Sequence, residues 1–150
     1  MHDETSSNGY AASNMTYVVT LTDPDAPSRD DPKWSEMCHW IAVLSSHQIQ
    51  HKTGHSFDLT ISDDDEIIPY KPPGPPEKTG KHRYVLLVFV PANGTTEGIY
   101  PSKPKDRKHW GYGGPDENGG KTRGVRDWAG ENGLAVVGMC LVLLLFLLSS

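Results

Sequence analysis

Two aspartates and two histidines are the residues of this chain whose types and positions could support chemistry. Asp23 and Asp25 lie two residues apart in the turn sequence DPDAPSR, and His39 and His82 each stand at or just before an apolar run. A carboxylate that accepts a hydrogen bond from one imidazole nitrogen fixes the tautomer and favours the charged ring, which can then donate to an anion. Acids and histidines can also hold a metal ion or transfer protons during hydrolysis. These residue types leave two interpretations open, an anion-binding site and a metal-dependent or acid–base hydrolase.

The chemically interesting residues lie at the ends of predicted strands. The β-branched and aromatic run YVVTL predicts a strand at about 16–22, and the prolines of the turn that follows cannot donate to a sheet ladder. The run HWIAVL predicts a second strand at about 39–45, and VLLVFV at 85–90 is the clearest strand signal. Alternation along that last strand places His82 and Tyr84 on one face. The acids, the histidines and a tyrosine are therefore expected at strand ends or in the adjoining turns.

Three separate parts of the sequence together resemble the phosphatidylethanolamine-binding protein family. They are DPDAPSR at 23–29, His39 with the apolar run after it, and the motifs GPP at 74–76 and GKHRYV at 80–85. The resemblance covers roughly residues 17–90, with a looser match beyond them. It implies a mainly β fold, a β-sandwich with short helices and loops, and a small cavity at one end of the sandwich that accepts anionic groups.

The resemblance also implies which residues line this cavity. By motif position they are Asp23, Asp25, Ala26, Pro27, His39, Gly74, Pro75, Pro76, His82 and Tyr84. The histidines would donate N–H groups to the oxygens of phosphate or of a phospholipid head group, an aspartate would orient a histidine, and the tyrosine would offer a hydroxyl donor. No catalytic residue, metal or other cofactor is implied, and the sequence contains neither a G-x-S-x-G nor an H-E-x-x-H motif. We therefore favour a non-catalytic binding protein over a hydrolase.

The partners that the resemblance implies are small anions and other proteins. Some members of the family inhibit a serine carboxypeptidase or a protein kinase, and such regulation through the surface is compatible with an anion site. The net charge is −5, from 14 Lys and Arg against 19 Asp and Glu, which argues against a nucleic-acid partner. Neither the two cysteines nor the polar amino terminus indicates secretion, so a cytoplasmic location is expected. The basic run KPKDRK at 103–108 leaves contact with a membrane surface or an acidic partner open.

The two ends of the chain differ in composition from the part between them. Residues 1–14 are polar and predict a disordered leader, residues 15–138 form the predicted domain, and residues 139–150 are an apolar tail. As a helix, the whole apolar run 134–148 would span about 22 Å at ~1.5 Å per residue, short of the ~30 Å of a bilayer core. It could be a marginal membrane anchor, an apolar strand or helix added to the core, or an aberrant end, and the resemblance favours the last of these.

Three weaker patterns concern secondary structure and metal binding. His47, His51 and His55 have the spacing of a helical metal site, but the threonine and glycine within this segment weaken the helix, so a solvated loop is favoured. The run FDLTI at 57–61 predicts a short strand. Residues 125–131 predict a short helix that ends at the following Asn-Gly pair.

Overall fold

The computed structural model describes residues 15–52, 57–94, 99–114 and 123–144. Among these residues the strands are β1 (Thr16–Asp23), β2 (Met37–Ser45), β3 (Ile49–His51), β4 (Phe57–Leu59), β5 (Glu66–Ile68), β6 (His82–Pro91) and β7 (Leu134–Leu144). The helical elements there are α1 (Val125–Glu131) and the short 3-10 segments Ser46–Gln48, Asp63–Asp65 and Lys108–Gly111. Five strands form one antiparallel sheet in the order β5-β2-β1-β6-β7, and β3 pairs with β4 in a separate small sheet. The predicted mainly β fold class is confirmed, and β1, β2, β6 and α1 lie where the sequence predicts them.

β1 lies at the centre of the main sheet because both of its faces are apolar. Val18 and Val19 point to opposite faces, and both are buried. β2 and β6 run antiparallel to β1, with Ala42 and Val88 opposite Val19. This pairing brings the carboxyl end of β1 next to the amino ends of β2 and β6. The predicted site residues that lie on strands are therefore gathered at one edge of the sheet.

Two apolar clusters cover the two faces of the sheet. On one face, α1 and the last 3-10 segment bring Trp128 and Trp110 against the strands, with ring centroids 5.3 Å apart. The indole N–H of Trp110 donates to the hydroxyl oxygen of Thr22 at 3.2 Å, which satisfies a polar group inside this core. On the other face, Leu44 belongs to a smaller cluster against which the partly buried Ile61 packs. Because both faces are packed, β1 and its neighbours β2 and β6 are held in place, and with them the predicted site residues at their ends.

The apolar run near the carboxyl-terminal end forms β7, which pairs with β6 along its whole length. Over residues 134–144 the structure therefore has the apolar strand, which is one of the three alternatives that the sequence left open. The strand crosses residue 138, where the sequence places the limit of the domain, because pairing with β6 continues through the apolar run. Residues 145–150 of the tail lie outside the described residues, as does the predicted leader at 1–14.

The weaker sequence patterns have different outcomes. The short strand predicted at 57–61 forms over Phe57–Leu59. His47 lies in a 3-10 segment and His51 in β3, while His55 lies outside the described residues, so the described part of this segment is not the helix that would align them. No group of three or more His, Cys, Asp or Glu residues that could hold a metal ion is found within the described ranges. Within those same ranges, none of the helices has the length and apolar character needed to cross a bilayer.

Candidate functional site

A cavity of about 110 Å³ opens at the sheet edge where β1 ends and where β2 and β6 begin. Its lining residues are Asp23, Ala26, Pro27, Trp34, Met37, His39, Lys71, Pro72, Gly74, Pro75, Pro76, His82 and Tyr84. All the residues that the sequence predicts for this site are in the lining except Asp25. The antiparallel pairing explains the convergence, since the Asp23 turn, His39 and His82 are far apart in sequence but adjacent at this edge.

Asp23 and His82 form a buried pair between β1 and β6. Nδ1 of His82 donates to Oδ2 of Asp23 at 2.8 Å, and both side chains are almost completely buried. Nε2 of His82 lies 3.0 Å from the hydroxyl oxygen of Thr79, and this hydroxyl donates to the carbonyl oxygen of Pro76 at 2.7 Å. An acid that orients a histidine is the arrangement that the resemblance implies, and Asp23 is the acid that contacts His82.

Tyr84 lies on β6 between the two histidines. Its ring is stacked on the His82 ring with centroids 6.3 Å apart, and the His39 ring meets it edge-on at 5.2 Å. Burial, and next the negative charge of Asp23, raise the pKa of Tyr84 to about 12, so the phenol keeps its proton. A protonated hydroxyl of the predicted tyrosine is therefore present at the cavity.

His39 is oriented by a backbone carbonyl instead of by an acid. Nδ1 of His39 donates to the carbonyl oxygen of Lys71 at 2.9 Å, and the Lys71 N–H donates to the His39 carbonyl at 2.9 Å. Burial lowers the pKa of His39, although the Lys71 carbonyl and the Asp23 charge act in the opposite direction. His39 is therefore mainly neutral near neutral pH, with its hydrogen on Nδ1.

Asp25 does not line the cavity, which corrects the expectation drawn from the sequence. Its N–H donates to Oδ1 of Asp23 at 2.8 Å, and this bond curls the turn so that the two carboxylates diverge. The Asp25 carboxylate instead accepts from Nε and Nη2 of Arg83 at 2.9 and 2.7 Å, and from Arg29 at 3.2 Å. Burial alone would raise the pKa of Asp25, but the hydrogen bonds from Arg83 and Arg29 outweigh it and lower the pKa to about 2. Asp25 thus fastens the turn to β6.

Comparison with known proteins shows the family of this chain. The family model described as phosphatidylethanolamine-binding protein matches residues 4–139. The chain belongs to the phosphatidylethanolamine-binding protein family. The resemblance inferred from the three motifs is therefore confirmed.

Two curated relatives of this family member come from Saccharomyces cerevisiae. The chain is 37% identical over 128 residues to carboxypeptidase Y inhibitor, a match that covers 81% of this chain and 55% of the relative. It is 37% identical over 122 residues to an uncharacterized protein of the same yeast, with the same two coverages, 81% and 55%. The chain thus spans about half the length of the curated relatives that it matches.

Solved structures show the same fold. The crystal structure of carboxypeptidase Y inhibitor complexed with its cognate proteinase matches with a TM-score of 0.64 and 34% identity, covering 87% of this chain and 59% of that one. The phosphatidylethanolamine-binding protein from Plasmodium vivax matches with a TM-score of 0.54 and 17% identity, covering 82% of this chain and 60% of that one. The second likeness concerns the fold alone.

Arg107 holds the wall of the cavity in this phosphatidylethanolamine-binding protein family member. Its guanidinium donates to the carbonyl oxygens of Cys38 at 3.3 Å, His39 at 2.9 Å and Pro69 at 2.9 Å. Its own carbonyl accepts from the Cys38 N–H at 2.7 Å. The sequence places Arg107 in the basic run 103–108 that could meet a partner, whereas the structure uses this side chain to join the start of β2 to the segment after β5.

Four residues of the lining were missed by the sequence analysis. Met37 lies on β2 two positions before the predicted histidine, so period-two alternation could have found it. Lys71 and Pro72 lie just before the GPP motif at 74–76 and could have been included with it. Trp34 lies in the loop between β1 and β2, with the Lys108 ammonium 4.4 Å from its ring centre. No pattern in the sequence indicates that this tryptophan reaches the cavity.

Proposed function

We propose that this family member is a non-catalytic binding protein whose cavity holds phosphate or a phospholipid head group. The observation that supports this most strongly is the convergence of the Asp23 turn, His39, the proline wall and His82 on one small cavity. A volume of about 110 Å³ has room for a phosphoryl group, whereas pockets that enclose drug-sized ligands occupy ~300–1,000 Å³. An acyl chain would therefore remain outside.

The polar groups of the lining favour binding over hydrolysis, which is the alternative function. The Asp23 carboxylate accepts hydrogen bonds from the Asp25 N–H and from His82, so it is not free to act as a general base. Burial raises the pKa of the Cys38 thiol to about 12, so this thiol next to His39 is not an activated nucleophile. A tight zinc site detected by calorimetry in the wild type and absent from Asp23→Ala would revive the hydrolase interpretation.

Nuclear magnetic resonance titration of the histidine rings tests the anion site. Adding inorganic phosphate or a phosphomonoester should shift the ring signals of His39 and His82, because both rings line the cavity. The variant His82→Ala should abolish the effect, since it also frees the Asp23 carboxylate. The variant His47→Ala, at a histidine outside the lining, serves as the matched control and should leave the shifts unchanged. Signals at both rings that stay in place at saturating phosphate would contradict the proposal.

We also propose that the protein regulates another protein, with a serine carboxypeptidase as the first candidate. The support is the 37% identity to carboxypeptidase Y inhibitor and the likeness to the solved complex of that inhibitor with its cognate proteinase. Hydrolysis of a peptide substrate by carboxypeptidase Y should fall as the purified chain is added, with an unrelated acidic protein as control. Undiminished hydrolysis at a large molar excess would exclude this partner, and a protein kinase assay would then test the second class that the family implies.

The proposed place of action is the cytoplasm, with contact to a membrane surface as a further proposal. Lys103 and Lys105 of the basic run 103–108 are exposed and could meet anionic lipids. Cell fractionation of the wild type beside the double variant Lys103→Gln, Lys105→Gln tests this. Equal distribution of both proteins in the supernatant would argue against membrane contact.

A further inference from the structure

We propose that the cavity takes its anion together with a proton, so that it prefers a phosphoryl group that carries a hydrogen over the fully ionised sulfate ion. This inference rests on the proposed function, because it concerns the ligand of the same cavity. It follows from the direction in which the hydrogen bonds of the lining run. The residue that determines the preference is His39.

The His39 ring presents a hydrogen-bond acceptor to the cavity. The Lys71 carbonyl that lies 2.9 Å from Nδ1 can only accept, so the hydrogen of this bond is on Nδ1. A neutral imidazole has one ring hydrogen, which leaves a lone pair on Nε2. Among the described residues no hydrogen-bond partner is found for Nε2, and His39 lines the cavity. If the anion carries no hydrogen, its oxygen would therefore face the lone pair of Nε2, and two acceptors would meet without a hydrogen between them.

Other polar groups of the lining are engaged within the protein. Nδ1 of His82 donates to Asp23, which itself only accepts. Nε2 of His82 already has a hydrogen-bond partner in the protein, the hydroxyl of Thr79. The ammonium of Lys71 offers attraction by charge. The cavity therefore has acceptors that a hydrogen-bearing ligand can satisfy, while the Nδ1–H groups of His39 and His82 are directed at protein atoms.

The charges around His39 make its protonation depend on the ligand. Asp23 faces it from β1, Tyr84 and His82 from β6, Lys71 from the segment after β5, and Arg107 from the segment that holds the start of β2. Burial and the two cations favour the neutral ring, while the hydrogen bond to the Lys71 carbonyl and the charge of Asp23 oppose them. A bound anion adds a second negative charge beside the ring. An anion without hydrogen should then bind only with a proton taken from solvent onto Nε2, whereas a P–OH group can donate its own hydrogen to Nε2.

Phosphate and sulfate separate these two cases because they have nearly the same size and shape. Near neutral pH, inorganic phosphate carries at least one hydrogen and sulfate carries none. A buried acceptor left without a donor is costly, so phosphate should bind about tenfold or more tightly than sulfate at about pH 7.5. The preference should shrink as the pH falls, because a protonated His39 donates equally well to both ions.

Isothermal titration calorimetry of the full chain in two buffers of different ionisation enthalpy tests this directly. Sulfate binding should take up about one proton, and phosphate binding clearly less. Dimethyl phosphate, which stands for the diester of a lipid head group, should behave as sulfate does. A diester or sulfate that binds as tightly as phosphate at about pH 7.5 without proton uptake would overturn the inference and leave the proposed function intact.

Two variants identify the group that takes the proton. His39→Phe keeps a ring against Tyr84 and removes the acceptor, so the preference and the proton uptake should both disappear. Lys71→Met keeps the carbonyl and removes the ammonium, so both ions should bind more weakly with the preference retained. If His39→Phe does not fold, the number of protons that the wild type takes up on binding sulfate and phosphate still tests the inference. Absence of binding of every ion between about pH 5.5 and 8 would instead defeat the proposed function, and this inference with it.

Discussion

Replacing Arg83 by methionine tests how the turn after β1 is held against β6. The change keeps most of the aliphatic stem and removes the guanidinium that donates to Asp25 at 2.9 and 2.7 Å. Hydrogen bonds to a charged group contribute about 1.5–3 kcal/mol each, but the Arg83 side chain is 45% exposed, so solvent screening reduces this figure. Asp25 also keeps the Arg83 N–H at 2.8 Å and the Arg29 guanidinium. We therefore expect the free energy of unfolding to fall by about 2 kcal/mol near neutral pH.

The pH dependence of this loss has a definite sign. The pKa of Asp25 is lowered to about 2 in the folded protein, below the ~3.9 of an unfolded chain. The unfolded state therefore binds a proton first as the pH falls, and the stabilisation by Asp25 is complete above about pH 4 and lost towards about pH 2. The difference between the wild type and Arg83→Met should shrink over this window.

Urea unfolding followed by tryptophan fluorescence at several pH values between about 7 and 3 measures both effects. Arg126→Met, at an exposed arginine on α1, is the matched control and should change the free energy of unfolding by less than about 0.5 kcal/mol. A loss below that figure for Arg83→Met near neutral pH would refute the assigned role of Asp25. A loss that is as large at about pH 3 as at about pH 7 would refute the ionic origin of the stabilisation.

Three further predictions concern groups around the cavity. Arg107→Met should lower the free energy of unfolding by about 1–3 kcal/mol in urea titrations, because the carbonyls of Cys38 and His39 lose their shared donor, whereas Lys108→Met should have little effect. In spectrophotometric titration the phenols of Tyr84 and Tyr112 should both ionise only near pH 12, and the Tyr84 part of this late step should be missing in Tyr84→Phe. The stabilisation from the raised pKa of Tyr84 should be full below about pH 10 and lost as the pH rises to 12. Mass spectrometry after brief alkylation at about pH 8 should find the exposed Cys140 modified and Cys38 intact, since burial raises the pKa of Cys38 to about 12. Early labelling of Cys38 would contradict this prediction.

The central strands could be predicted from the sequence because local pattern and tertiary burial agree there. The run at 17–21 is apolar on both faces, as the middle strand of a sheet requires, and the prolines after it stop the pairing. The helix at 125–131 was predicted with its observed bounds because an Asn-Gly pair follows it. The cavity residues came from the family motifs and not from periodicity, since most of them lie in turns.

The sequence could not predict where side chains in the turns point or which backbone groups they meet. Asp23 and Asp25 are two residues apart and look equivalent, but the N–H of one binds the carboxylate of the other and turns them apart. The partner of His39 is a carbonyl 32 residues away, and a carbonyl has no sequence signature. The run at 134–148 is apolar throughout, so its pattern fits a strand or a helix, and only the presence of β6 beside it selects the strand over 134–144.

The contacts that shape the cavity join distant parts of the chain. Variants at these contacts should distinguish effects on the stability of the fold from effects on the affinity for phosphate. His82 and Asp23 are 59 residues apart, Arg83 and Asp25 are 58 apart, and Arg107 contacts His39 across 68 residues. The Arg83 contact lies outside the lining, so Arg83→Met should weaken folding more than it weakens phosphate binding. The Asp23 contact lies inside the lining, so Asp23→Asn should weaken both folding and phosphate binding, because an amide can place a donor where His82 already donates. Equal losses of phosphate affinity in the two variants, measured on protein that is still folded, would mean that the turn and the cavity respond as one unit and that Asp25 acts on the ligand after all.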